Sequence, residues 1–135
     1  MFTSREKIVV KKLLVILFLP LSFSNSYAES RVFTCVTEKH TILIDQLDSL
    51  NYSYRSWNKP KAIDTKPDME LKSKDVKTDG TGACRSTEYS FRTGKTVFLV
   101  DDNVSCVEKV PPKNVIGNLS VLINGELKSQ YYCLN

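Results

Sequence analysis

Histidine and tryptophan each occur once in the 135 residues, so an imidazole-based acid-base site has a single residue to draw on. A Ser-His-Asp or Cys-His hydrolase would have to use His40 as its base, and the chain has no G-x-S-x-G elbow to present a serine to it. His40 therefore reads as a lone surface histidine at a strand edge. Close cysteine pairs are also missing. The four cysteines stand 49, 22 and 27 residues apart, which gives a tetrahedral metal site no ligand spacing to start from. Asp101 and Asp102 are neighbours just past an extended run, where successive side chains point to opposite faces, so they do not form an acid and base pair. Gly80-x-Gly82 and Gly94-Lys95 lack the spacing and the following helix of a phosphate loop. No catalysis, metal or cofactor is expected.

Long apolar runs are scarce too. Leu13 to Leu21, broken by Pro20, covers about half of the ~20 residues that a membrane span needs. It follows a positive stretch of Arg5, Lys7, Lys11 and Lys12 and precedes Ser26-Tyr27-Ala28, a small-x-small exit. That is the pattern of a secretory signal, here with a bacterial look. Residues 1–28 are expected to be removed after Ala28, which leaves 29–135 as one exported domain, periplasmic or secreted, with no membrane span. A membrane anchor is the alternative reading of the same segment. Three N-x-[ST] sequons, at Asn51, Asn103 and Asn118, matter only in a host that glycosylates its exports.

Removal of the signal changes the charge. Four of the 19 basic residues and one of the 15 acidic residues precede residue 29, and the remainder carries a net charge of +1. The basic character of the whole chain belongs mostly to the export signal, so nucleic acid is not an expected partner. A domain of this size buries only ~60 to 70% of its unfolded surface and gains from staples. All four cysteines lie in the exported part, where oxidation is available.

What is abundant is the vocabulary of strands. Tyr89, Phe91 and Thr93 alternate with Glu88, Ser90 and Arg92, Gly94-Lys95 interrupts, and Thr96 to Val100 continues as a β-branched and aromatic run. Gly94 first in a two-residue loop suits a type II′ turn, which sets Thr93 opposite Thr96, Phe91 opposite Phe98 and Tyr89 opposite Val100. Three cysteine pairings exist. The hairpin count carries Cys84 to within one residue of Cys106, which favours that bond and leaves Cys35 with Cys133, tying the two ends of the domain.

Arg31 to Thr37 and Leu50 to Trp57 also read as strands. Thr41 to Asp45 does as well, although Leu43, Leu47 and Leu50 fit one face of a helix from His40 to Leu50. Met69 to Leu71 with Val76 is a weaker strand. Asn118 to Leu134 is a second hairpin around Asn124-Gly125, the strongest turn signal in the chain. The class is all-β, with seven to eight strands in a small, disulfide-stapled antiparallel barrel or sandwich. Asn58 to Asp68, with Pro60, Pro67, Lys59, Lys61 and Lys66, is a loop. It is either a basic finger for a partner, with Trp57 as the aromatic anchor at its base, or a solvated excursion with Trp57 capping the core.

Cys35, Lys39 and Ile42 in an early strand, Thr81-Gly82-Ala83-Cys84 in a turn, and Tyr89 to Lys95 in a hairpin together resemble the periplasmic and membrane-bound inhibitors of c-type lysozyme. Thr81 stands where the family's first motif has serine, and Gly94-Lys95 reverses the last two residues of the second. The resemblance implies a non-enzymatic binding protein of the bacterial envelope, an inhibitor of lysozyme or another cell-wall hydrolase or an immunity protein, acting by loop insertion. Thr81, Arg92, Gly94 and Lys95 would be its contacts, Thr81 and Lys95 reaching the catalytic carboxylates. The alternative, from another class, is a surface or adhesin-like subunit that pairs through a strand edge.

Overall fold

The computed structural model describes residues 29–109 and 111–135, and the expected export signal lies outside them. The strands are β1 (Ser30–Val36), β2 (His40–Gln46), β3 (Tyr52–Asn58), β4 (Met69–Ser73), β5 (Val76–Asp79), β6 (Ser86–Thr93), β7 (Thr96–Asp101), β8 (Val115–Ile123) and β9 (Glu126–Leu134), with a single 3-10 turn at Gly82–Cys84. They form one antiparallel sheet of nine strands in the order β4-β3-β2-β1-β9-β8-β7-β6-β5. The sheet does not close.

The expectation of seven or eight strands in a barrel or sandwich is therefore corrected. The stretch from Met69 to Asp79 divides at Lys74-Asp75 into two strands that run in the same direction, one pairing with β3 and the other with β6. These halves are the two edges of the sheet. At the break the Asp75 carbonyl accepts the Ser90 N–H, 3.0 Å away, and the Asp75 N–H donates to the Ser73 hydroxyl.

The central hairpin has the register that its turn demands. Thr93 faces Thr96, Phe91 faces Phe98 and Tyr89 faces Val100, and Gly94 adopts φ +58° as the first turn residue. Residues 40–50 do not form a helix: β2 occupies His40–Gln46, and the Asp48 carboxylate accepts the Leu50 and Asn51 N–H groups to turn the chain into β3. Leu50, a member of the alternative helical face, is 63% exposed. Ile42, Leu43, Ile44 and Asp45 are all buried, so β2 is covered on both faces and shows no alternation that would mark it as a strand.

The sheet curls until β3 meets β6 and β7 across the interior. Tyr54 packs on Phe91 and Phe98 at 5.4 Å between ring centroids, and Tyr52 on Tyr89 at 5.5 Å. With Ile42, Ile44, Val100 and Leu119 these rings form the core. Each such side chain contributes about 1.5 to 3 kcal/mol. Burial pushes the Tyr54 and Tyr89 hydroxyls up to about 12.

One join in this sheet is slight. β1 meets β9 at a single pair, Val36 with Leu134. Beside it the fully buried Cys35 and Cys133 form a disulfide with their Cα atoms 4.7 Å apart, and Cys84 bonds Cys106, both as the spacing implies. Phe33 of β1 also reaches β8, where it lies over Gly117. A Cβ there would come within 2.3 Å of the Asp101 carbonyl and 2.7 Å of the Phe33 ring.

β1, β2 and β3 are further tied by Asp45, only 3% exposed, whose carboxylate accepts Arg31 Nε at 2.5 Å and an Arg55 guanidinium N–H at 2.6 Å. Burial works to raise its pKa, but the two guanidinium groups outweigh burial and hold the carboxyl below the ordinary value of 3.8. A depressed folded-state pKa stabilises the fold fully above the unfolded value, and that stability is lost as pH falls through the folded one. Both arginines remain partly solvated, which reduces the cost of losing their partner. Asp45→Asn is expected to lower urea stability at pH 7 by on the order of 2 kcal/mol. The gap to the wild type should narrow below pH 3.8; an unchanged gap at pH 2.5 would rule out the carboxylate as its source.

Candidate functional site

Antiparallel alternation sends the connections of this sheet to two ends. The β1–β2 turn and the β3–β4 loop lie at one end of β1–β4, and the tips of the β6–β7 and β8–β9 hairpins at the end of β5–β9 called here the upper end; the two sets are offset, because Val36 at the close of β1 pairs with Leu134 at the far end of β9 from its tip. They are tied in pairs: the Lys59 N–H donates to the Lys39 carbonyl at 2.9 Å, and the Asn124 N–H to the Lys95 carbonyl at 3.0 Å. Between β2–β4 and β7–β9 opens a cleft of about 370 Å³. Tyr54, Phe98, Leu119 and Val121 line its floor, and His40, Asn58, Asp68, Ser129 and Tyr131 its mouth. Across the mouth the His40 ring meets Tyr131 edge-on at 5.9 Å, while His40 Nδ1 sits 3.0 Å from Asn58 Oδ1.

Arg92, Gly94 and Lys95 stand at the upper end and Lys59 and Lys61 in the separate β3–β4 loop, with Trp57 at its base; all five are exposed and none of them lines the cleft. Thr81 is not among them. It begins the 3-10 turn before β6, and the eight residues of β6 at ~3.3 Å each separate it from Lys95 by roughly 25 Å. Thr81 and Lys95 thus occupy opposite ends of one strand and do not enter one cleft together. At Thr81's end the Asn103 amide donates to the Ala83 and Arg85 carbonyls and fixes the turn that carries Cys84.

Of its two readings, Trp57 takes the one that caps the core and not that of an anchor for a partner. It is 1% exposed, and its indole N–H donates to the Thr65 carbonyl at 2.8 Å, so it holds the loop down from inside. Asp68 closes the loop from the other side, pairing with Lys61 and accepting the Asn58 N–H at 2.7 Å. Lys61 first, and that N–H second, hold the Asp68 carboxyl below the ordinary carboxylate range. Among the described residues Lys59, Lys66, Arg92 and Lys95 take part in no ion pair, and all four are exposed.

At the lower end Asp101 accepts the Asn103 N–H at 3.1 Å and Asp102 accepts the Thr87 N–H at 2.7 Å, so both carboxylates fasten backbone. Burial, with help from Asp102 and Glu88, raises the Asp101 pKa. Among the described residues no three His, Cys, Asp or Glu side chains group as metal ligands, and no helix is long and apolar enough to cross a membrane. Sequence reasoning missed the mouth of the cleft. His40, Ser129 and Tyr131 come from distant strands, and only the half-buried alternation of Ser129 and Tyr131 along β9 hints that they face inward.

Trp57→Phe keeps an aromatic ring but removes the donor to Thr65, at a cost on the order of 1 to 2 kcal/mol. Lys59 and Lys66 precede prolines, which leaves Lys61-Ala62 as the tryptic site of the loop. Trypsin should cut there at least about fivefold faster in the variant, and an unchanged rate would mean that the indole does not hold the loop. No protein-family model matches the chain, and neither a curated protein nor a solved structure does.

Proposed function

We propose that the protein is an exported, non-catalytic binding protein of the bacterial envelope, periplasmic or secreted, whose upper end recognises an acidic site on a protein partner. Two disulfides, with no free cysteine among the described residues, support folding in an oxidising compartment. The observation that carries the reading is that Arg92 and Lys95, exposed and without an ion pair, stand at the tip of the β6–β7 hairpin, which the Asn124 N–H ties to the tip of β8–β9. Loops held this way lose little freedom on binding, so their charges favour a partner at low entropic cost. An enzyme whose cleft is lined by carboxylates is the partner class that fits, and cell-wall hydrolases such as c-type lysozyme belong to it. The Gly94-Lys95 tip is the element that enters.

Residues 29–135 are expected to slow the clearing of cell-wall suspensions by a c-type lysozyme or another member of a hydrolase panel. Lys95→Glu should weaken that inhibition at least about tenfold. Thr81→Ala, at the far end of β6, should leave it unchanged. No inhibition across the panel, or equal inhibition by the Lys95 variant, would contradict the reading.

A second reading, a surface or assembly subunit that pairs through a strand edge, is favoured by one observation: β9 pairs with β8 along its length but with β1 only at Leu134. Its mark is self-association in sedimentation velocity as concentration rises. A sedimentation coefficient that stays monomeric dismisses it.

A further inference from the structure

Alternation along β6 to β9 sends Phe91, Phe98 and Leu119 into the core and leaves three outward rows on the opposite face of the sheet. The row nearest the upper end runs from Arg92 on β6 to Leu127 on β9, the middle row carries Leu99, and the lower row runs from Glu88 through Asp101 to Tyr132. Leu127 is 58% exposed and Tyr132 50%, while Leu99 is half-buried. The charges are separated along the strands. Arg92 stands in the upper row, Glu88 and Asp101 oppose each other in the lower, and among the described residues none of the three takes part in an ion pair. Lys77 extends the lower row onto β5 and makes no ion pair either.

This face is complementary to itself. A two-fold axis between two copies, perpendicular to the strands, sets the middle row on its counterpart and the upper row of each copy on the lower row of the other. Leu99 then meets Leu99, Leu127 meets Tyr132, and Arg92 lands on Glu88 with Asp101 beside it, the last two contacts being made twice. The remaining pairs set Val97 on Asp101 and Leu122 on Asn118. An axis along the strands would instead set arginine level with arginine and carboxylate level with carboxylate, which repel. A partner of one charge sign would satisfy only one of the two outer rows. We infer that the outer face of β6–β9 binds a second copy of this chain, face to face with its strands reversed, so that Arg92 of each copy sits on the Glu88–Asp101 pair of the other. Lys95, on which the hydrolase reading turns, lies in the turn beyond the paired rows, and the inference stands apart from that reading.

The test is sedimentation velocity of residues 29–135 over a concentration series, in which the wild type is expected to pass from monomer to dimer. Arg92→Glu and Glu88→Arg, at an exposed and a partly exposed position, should each weaken association at least about tenfold, and their 1:1 mixture should regain it, because each altered side chain then meets its complement. Recovery in the mixture also shows that both variants fold. Leu127→Asp, at a well-exposed position that meets Tyr132 across the axis, should weaken association as well. A monomer at every concentration, an Arg92 or Glu88 variant that associates as strongly as the wild type, or a mixture no stronger than its components would each overturn the inference. Pairing through the β9 edge gives the second of these outcomes, since backbone hydrogen bonds there do not involve Arg92 or Glu88.

Discussion

The structure depends on how little joins β1 to β9. Within the sheet one backbone pair, Val36 with Leu134, joins the packet β1–β4 to the packet β5–β9, and the covalent crossings among the described residues are the chain itself at Lys74-Asp75 and the Cys35–Cys133 disulfide. A single backbone pair contributes about 1 kcal/mol. The Cys35–Cys133 bond closes a loop with a sequence separation of 98, for which chain entropy gives a stabilisation of about 4 to 5 kcal/mol. At this seam the disulfide outweighs the hydrogen bonds. The packing of Tyr54 on Phe91 and Phe98 then holds the two packets face to face, a contact that only a joined sheet can maintain.

The same arrangement makes the cleft. Because β1 and β9 touch only at their C-terminal ends, the body of β9 continues past the β1–β2 turn with a free edge, and the interior opens beside it. Each packet has its own tied pair of loops, with Lys59 and Lys66 exposed on one and Arg92 and Lys95 on the other. The net charge of +1 over residues 29–135 is thus compatible with a local concentration of cations at the β6–β7 tip.

The parts legible in the sequence were those fixed by local chemistry. Gly94-Lys95 and Asn124-Gly125 specify their turns, a turn specifies a register, and the register brings Cys84 close enough to Cys106 to leave Cys35 for Cys133. Where a strand is buried on both faces, as β2 is, periodicity disappears, and the helix spacing of Leu43, Leu47 and Leu50 competes on equal terms. Lys74-Asp75 carries no breaker residue, so the division of 69–79 into two sheet edges left no mark. Thr81 and Lys95 appear close along the chain, yet a full strand lies between them and sends them to opposite ends. Trp57 was placed at the base of its loop, but whether an aromatic side chain faces a partner or the core is decided by its neighbours, here Thr65 and Arg55. His40 gained its position from Tyr131 and Asn58, which no spacing announces.

The most direct measurement of the central claim is native-state hydrogen exchange on the Cys35→Ala/Cys133→Ala variant. If the buried disulfide is what holds the two packets together, the amides of β1 and of Tyr131 to Leu134 will exchange through local opening at least about tenfold faster than those of β6 and β7 in the same molecule. A uniform loss of protection across all strands, or none at all, would contradict it.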